Sequence, residues 1–311
     1  MLQLGCGSSS PNGDVSKLYV ANIGANSITV HDAEADGNAT PIATIFGGNT
    51  GLDGPRGLAL NHLNRLYVAN LVNNSITAYA ANADGNVAPL VIIQGANTGL
   101  NQPVDVAFDF ANRLYVVNEG AGSYKILIYS ATADGNVAPI DSIVGANTGL
   151  AGPGGAAIDG TGKLYVANFS TNDVPVYANG ATGNAVPIDT IVGAGTGLDG
   201  PSGIALDRTR KIYVANQGSS VTVYAAGATG NATPAASITG ANTGLQSPGH
   251  LALDTDARLY VTDVTANSIT LFDAGATGNA TPVHTIVGPS TGLNGPYGIA
   301  ITGPKRGPVS P

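Results

Sequence analysis

The apolar residues of this chain come in short runs rich in Val, Ile, Leu and Tyr, bounded by Gly, Asn, Asp and Pro. Runs of this kind are strand-sized, and none holds a helical period over a useful length. They also recur. Leu18-Tyr19-Val20-Ala21-Asn22 returns at Leu66 to Asn70, Leu114 to Asn118, Leu164 to Asn168, Ile212 to Asn216 and Leu259 to Asp263. The tyrosines Tyr19, Tyr67, Tyr115, Tyr165, Tyr213 and Tyr260 are spaced 48, 48, 50, 48 and 47 residues apart. So even a period excludes two unrelated domains.

Each period holds four runs, named a to d here: Gly57 to Leu60, Leu66 to Ala69, Ser75 to Tyr79 and Pro89 to Ile93 in the second copy. Between c and d stand Asp36-Gly37-Asn38, Asp84-Gly85-Asn86, Asp134-Gly135-Asn136 and three copies with Thr for Asp. Gly and Asn accept the positive φ of tight turns. A Ca²⁺ loop needs an acidic closing ligand, and half of the copies have lost the Asp, so these read as plain turns. Four antiparallel strands, repeated six times, predict an all-β, six-bladed β-propeller over residues 15–303. A flexible tether at 1–14 and a tail at 304–311 flank it. The proline of d fits only an edge, so d is outermost. Run a is rich in Gly and Ala and fits the crowded axis. The chain starts on b and ends on an unpartnered a, Gly298 to Ile301, so the C-terminal strand closes the first blade 3+1.

The motifs Pro55-x-Gly57-Leu58-Ala59-Leu60-Asn61, Arg65-Leu66-Tyr67-Val68-Ala69-Asn70 and Ser75-Ile76-Thr77 resemble the NHL-repeat family of propellers. The absence of Trp disfavours WD40 repeats. Such a resemblance gives architecture, because the fold carries both enzymes and passive binders.

Charge narrows the function classes. Only 10% of residues are charged and the net charge is −8, which argues against nucleic acid as a partner. No segment approaches the length of an apolar membrane span. Cys6 is the lone cysteine, so no internal disulfide forms. Leu4-Gly5-Cys6, followed by Gly7-Ser8-Ser9-Ser10-Pro11, resembles the cleavage region of a bacterial lipoprotein, although Gln3 stands where an aliphatic residue is usual. The resemblance implies lipidation at Cys6 and an extracellular, periplasmic or cell-surface location. An incidental thiol is the other reading.

Aligning the repeats separates scaffold from exception. The basic residues Lys17, Arg65, Arg113, Lys163, Lys211 and Arg258 all precede b. Asp109, Asp159, Asp207 and Asp254 lie four residues before such a residue and read as exposed ion pairs across a hairpin. The Asn ring that ends b reads as strand-end caps, or as amides around the channel mouth. His31 takes the aromatic place of c, His284 lies on d and His62 in an a–b turn. Five residues break their columns: Arg56, Asp105, His250 and Tyr297 at the head of a, and Glu119 after b. They are expected to ring the channel mouth, with Asp105 and His250 as base or metal ligands, Arg56 as an anion clamp and Tyr297 as a donor.

Amidoglycolate lyases resembling this fold place zinc-binding His after the prolines of a. The matching positions here are Arg56, Val104, Gly154, Ser202, Gly249 and Tyr297, so that zinc site cannot be built. Gluconolactonase-like propellers hold one divalent ion with a Glu/Asn/Asp set, which Glu119, Asn168 and Asp105 would imitate. The favoured reading is a non-enzymatic, exported binding or scaffold module without cofactor, with a protein, a glycan or another copy as partner. The alternative is a metal-dependent hydrolase or lyase at the channel mouth, with Asp105, His250 and Tyr297 as its catalytic candidates.

Overall fold

The computed structural model describes residues 16–120 and 124–303. Cys6, the tether and the tail lie outside the described residues. Within them the chain forms six four-stranded antiparallel sheets, numbered as blades in chain order. Blade one holds β1 (Lys17–Asn22), β2 (Ser27–Asp32) and β3 (Ala43–Ile45). Blade two holds β4 (Pro55–Leu60), β5 (Leu66–Asn70), β6 (Ser75–Tyr79) and β7 (Val91–Ile93). Blade three holds β8 (Pro103–Phe108), β9 (Leu114–Asn118), β10 (Lys125–Tyr129) and β11 (Asp141–Ile143). Blade four holds β12 (Pro153–Ile158), β13 (Leu164–Asn168), β14 (Asp173–Tyr177) and β15 (Asp189–Val192). Blade five holds β16 (Pro201–Leu206), β17 (Ile212–Asn216), β18 (Ser220–Tyr224) and β19 (Ala236–Thr239). Blade six holds β20 (Pro248–Leu253), β21 (Leu259–Asp263), β22 (Ser268–Phe272) and β23 (His284–Val287). The last strand, β24 (Pro296–Ile301), pairs with β1, so blade one is closed 3+1 as the sequence predicts.

The core lies between blades. Side chains of a strand alternate between its two faces. Leu66 and Val68 therefore pack on Tyr19, Ala21, Ile28 and Val30 of blade one, while Tyr67 and Ala69 pack on Leu114 and Val116 of blade three. Both faces of β5 are buried, which explains its uninterrupted apolar run. The same arrangement seals the ring where Leu18 and Val20 meet Tyr260 and Ile269 of blade six.

The aromatic residue ending each third strand is a second repeated device. Tyr79, Tyr129, Tyr177 and Tyr224 are fully buried, and their hydroxyls donate to the carbonyls of Thr50, Thr98, Thr148 and Thr196 at 2.5, 2.5, 2.6 and 2.6 Å. Phe272 and His31 hold the same register against Leu259 and Leu18 without making that bond.

Two expectations need correction. The Gly-Asn segments are clasps between blades. Gly85 N–H donates to Thr44 O of blade one at 2.8 Å, and Phe46 N–H donates back to Gly85 O at 3.2 Å. Asn86 Oδ1 then accepts Asn49 N–H at 2.8 Å. Equivalent backbone bridges link Gly37, Gly135, Gly183, Gly230 and Gly278 to the outer strand of the preceding blade. They cover part of each outer edge, which would otherwise present unpaired backbone groups. The Asp column before strand b also differs from plan. Asp109 and Asp254 do pair with Arg113 and Arg258, each at 2.7 Å. Asp159 and Asp207 instead accept the backbone N–H groups of Lys163 and Lys211 at 3.0 and 2.9 Å. The shared role is closing the hairpin turn from the carboxylate of its first residue.

Candidate functional site

Glycines at the head of the inner strands let neighbouring blades approach closely. A Cβ on Gly57 would sit 2.5 Å from Asp105 Cα, and one on Gly203 would sit 2.6 Å from His250 Cα. At the column's two exceptions, Asp105 and His250, a side chain fills the axis instead. The imidazole of His250, from blade six, reaches Asp105 of blade three, with Nε2 3.3 Å from Oδ2. These blades lie opposite one another in a ring of six, so the pair crosses the channel.

Both residues are buried, Asp105 at 1% exposure and His250 at 7%. Asp105 Oδ2 also accepts Ala156 N–H of blade four at 2.9 Å, while Oδ1 has no partner. His250 Nδ1 lies 3.2 Å from Leu251 O, a contact that fits a donated N–H. Burial works against the imidazolium, and Arg56 opposes it too. The charge and hydrogen bond of Asp105, with the Leu251 carbonyl, outweigh both and raise the His250 pKa above its ordinary value.

Arg56, Glu119 and Tyr297 form a separate group. Arg56 Nη1 meets Glu119 Oε2 at 2.6 Å, and Nη2 donates to Tyr297 Oη at 2.9 Å. The guanidinium carbon also lies 4.5 Å from the Tyr297 ring centroid, a cation–π contact. Arg56 thus ties blades one, two and three together. Of the five exceptions expected at the mouth, Arg56 and Glu119 stand there partly exposed, with Tyr297 buried beside Arg56. Asp105 and His250 are one residue deeper and close the channel beneath them.

The set of Asp105, Glu119 and Asn168 does not come together as one free group of ligands. Glu119 holds Arg56, and Asp105 holds His250 and Ala156. Asn168 donates to Gly149 O and Asp173 Oδ1 at 2.8 and 2.7 Å and accepts Ala151 N–H at 3.1 Å. The other ring asparagines do the same work. Asn70 accepts Asp53 N–H, Asn118 accepts Asn101 N–H and Asn216 accepts Asp199 N–H, each fully buried. They cap the strand end and the incoming loop, and do not present amides to the channel. Among the described residues, no cluster of three or more His, Cys, Asp or Glu is arranged to hold a metal ion.

Two supporting residues escaped the sequence reading. Thr262 Oγ1 accepts His250 N–H at 3.0 Å and donates to Tyr297 O at 2.5 Å, so it joins the two groups. Its column elsewhere reads Ala21, Ala69, Val117, Ala167 and Ala215, a signal that was available. Ser202 Oγ, 2.9 Å from Pro248 O, links blades five and six in the same way. Beside the mouth, Val72 and Phe169 follow their strand-ending asparagines and are exposed at 63% and 44%.

No protein-family model matches the chain, and no curated protein matches it. Among solved structures it is similar to a chain of the nidogen–laminin complex, with 17% identity and a TM-score of 0.62 over 92% of this chain and 98% of that one. It is also similar to a protein of unknown function from Bacteroides caccae, with 12% identity and a TM-score of 0.66 over the same shares. The likeness is one of fold. It places the chain among six-bladed β-propellers and says nothing finer of its repeat family. Among the described residues, no helix is long and apolar enough to cross a membrane.

Proposed function

We propose that this chain is a non-enzymatic, exported propeller of the NHL-repeat type that works as a binding or scaffold module through its channel-mouth face. The observation that carries this is the mutual engagement of the residues that break the repeat. Arg56 is held by Glu119 and Tyr297, and His250 by Asp105, so the exceptions lock blades together. A general base needs an atom within reach of the substrate proton, and both ring nitrogens of His250 are engaged, by Asp105 and by the Leu251 carbonyl. Among the described residues the mouth exposes apolar surface on Val72 and Phe169, and Glu119 is partly exposed. That combination suits a protein or glycan surface, as a propeller chain in a nidogen–laminin complex illustrates for another protein. Lipidation of Cys6 would hold such a module at a cell surface or in a periplasm.

The test is turnover. Purified protein, with and without added divalent ions, is assayed on lactone, ester and peptide substrates. The expected result is no turnover above background. Turnover that disappears in Asp105→Ala or His250→Ala would establish the hydrolase or lyase reading instead.

A further inference from the structure

Each inner strand runs from the mouth to an a–b turn, so these turns and the c–d segments make up the face opposite the mouth. The residue after the Asp or Asn that closes each turn differs from blade to blade: His62, Phe110, Gly160, Arg208 and Thr255. Phe110 is 71% exposed, the most exposed large apolar side chain among the described residues. Its turn is fastened to blade two. His62 N–H donates to Asn112 Oδ1 at 3.3 Å, and the His62 ring lies 6.4 Å from the Phe110 ring, tilted by 49°. A single exposed apolar residue is ordinary on a protein surface. The neighbours of Phe110 are not.

Phe110 forms one wall of a groove of about 380 Å³ between blades three and four, and Arg113, Gly160, Thr161, Gly162 and Asn179 contribute to the others. That volume falls within the range of small-molecule sites, about 300–1,000 Å³. The turn of blade four opens the groove because it carries glycines. Gly160 has open space where a Cβ would be. A Cβ on Gly162 would sit 2.5 Å from Asn179 Cγ, so the missing side chain makes room for the amide. Asn179 Nδ2 donates to Thr161 O at 3.2 Å, which fixes the amide and leaves Oδ1 without a partner among the described residues. Asp109 bonds the Nε of Arg113 at 2.7 Å, so the Nη groups of Arg113 remain donors.

The equivalent groove between blades four and five lacks this set. Gly160, Arg210 and Ala226 stand there in the places of Phe110, Gly162 and Asn179, and the volume falls to about 130 Å³. Charge does not favour an anion in the groove beside Phe110. Its lining holds one cation and one carboxylate, Arg113 and Asp109, which pair with each other. Asp141, on the outer strand of blade three, also acts on the Arg113 charge.

We propose that the groove between blades three and four binds a neutral saccharide. The C–H face of a sugar ring lies on Phe110, its hydroxyls accept from the Nη groups of Arg113, and one hydroxyl donates to Asn179 Oδ1. An aromatic plate flanked by a few oriented polar groups suits a ring that is apolar on one face and hydroxylated at its edge. The site lies on the far side from the mouth and stands whether or not the mouth holds a partner.

Maltotriose, cellotriose, mannotriose and chitotriose are titrated into the full chain by calorimetry, with trigalacturonate as the acidic counterpart. Binding of at least one neutral trisaccharide is expected, tighter than that of trigalacturonate. Phe110→Ala is expected to weaken it about tenfold and Asn179→Ala about fivefold, while Phe110→Tyr keeps it. Gly160→Gln is expected to abolish it by filling the gap. Gly160 has no positive φ, so the fold tolerates a side chain there. Melting temperatures equal to that of the parent show that the variants fold. Val72→Ser and Phe169→Ala, at the mouth, are expected to leave binding unchanged. No binding of any neutral trisaccharide, tighter binding of trigalacturonate, or binding that survives Phe110→Ala and Gly160→Gln would overturn the proposal. Loss in the mouth variants alone would do so too, by placing the sugar on the other face.

Discussion

His250 and Asp105 meet across the channel, 3.3 Å apart, from opposite blades of the ring. Among the described residues, the other side-chain hydrogen bonds between blades join neighbours, so this is the one that spans the axis. The His250 pKa is raised, because Asp105 and the Leu251 carbonyl outweigh burial and the Arg56 charge. Its folded value exceeds its unfolded value near 6.5. The stability it contributes is complete below that unfolded value and is lost as pH rises through the folded one. Imidazole resonances followed by NMR are expected to place the His250 titration above the ordinary histidine value of 6.5. A midpoint below it would contradict the pairing.

His31 behaves in the opposite sense. Burial without any partner for either ring nitrogen lowers its pKa to about 4. The folded protein thus resists a proton that the unfolded chain accepts. Stability is complete above the unfolded value and falls with acid from there toward about 4, by up to about 3 kcal/mol. His31→Phe is expected to remove this loss. Urea midpoints of the two proteins should converge or cross at pH 7.5 and separate at pH 4.5 in favour of the variant.

Phe272 occupies the place where four other blades carry a tyrosine bonded to a threonine carbonyl. Phe272→Tyr is expected to supply the missing bond to Thr243 O and add about 1 kcal/mol. Calorimetry reads this as a higher melting temperature. A decrease would mean that the site near Thr243 lacks room for the hydroxyl.

The clasps follow local charge. Asp84 accepts Thr44 N–H at 2.9 Å, and Asp134 accepts Ile92 N–H at 3.0 Å. In blade three the outer strand carries Asp141, whose own carboxylate accepts Ser142 N–H at 3.0 Å, and the facing clasp has Thr182. Thr182→Asp would set two carboxylates against one donor. A loss of about 0.5–1 kcal/mol is expected, partly recovered by salt. Denaturant titrations at low and high ionic strength check both parts.

The architecture was legible because strand length, turn residues and period all speak locally. Tyr67 and its counterparts set the blade count, and the unpaired Gly298 to Ile301 segment set the closure. The clasp was not, since Gly85 and Asn86 read as a turn in any context and their partners lie in the preceding blade. The candidate site was half legible. Column breaks picked out Arg56, Asp105, Glu119, His250 and Tyr297. Alignment gives a residue's depth along its strand, not the direction of its side chain across the axis. It therefore could not tell that His250 joins Asp105, 145 residues away, while Arg56 joins Glu119 and Tyr297. Thr262 broke its column as clearly as His250 did, but a hydroxyl among alanines draws less notice than a charge.

The central claim is that the departures from the repeat are locks between blades. A double-mutant cycle on Asp105→Asn and His250→Gln, read from unfolding free energies, tests it most directly. The account predicts that each single variant is destabilised by a few kcal/mol, with a coupling of at least about 1 kcal/mol at pH 6. That coupling should shrink as pH rises past the His250 titration. Single variants as stable as the parent, or with additive losses at every pH, would contradict it and mark the pair as a site kept for function at a cost in stability.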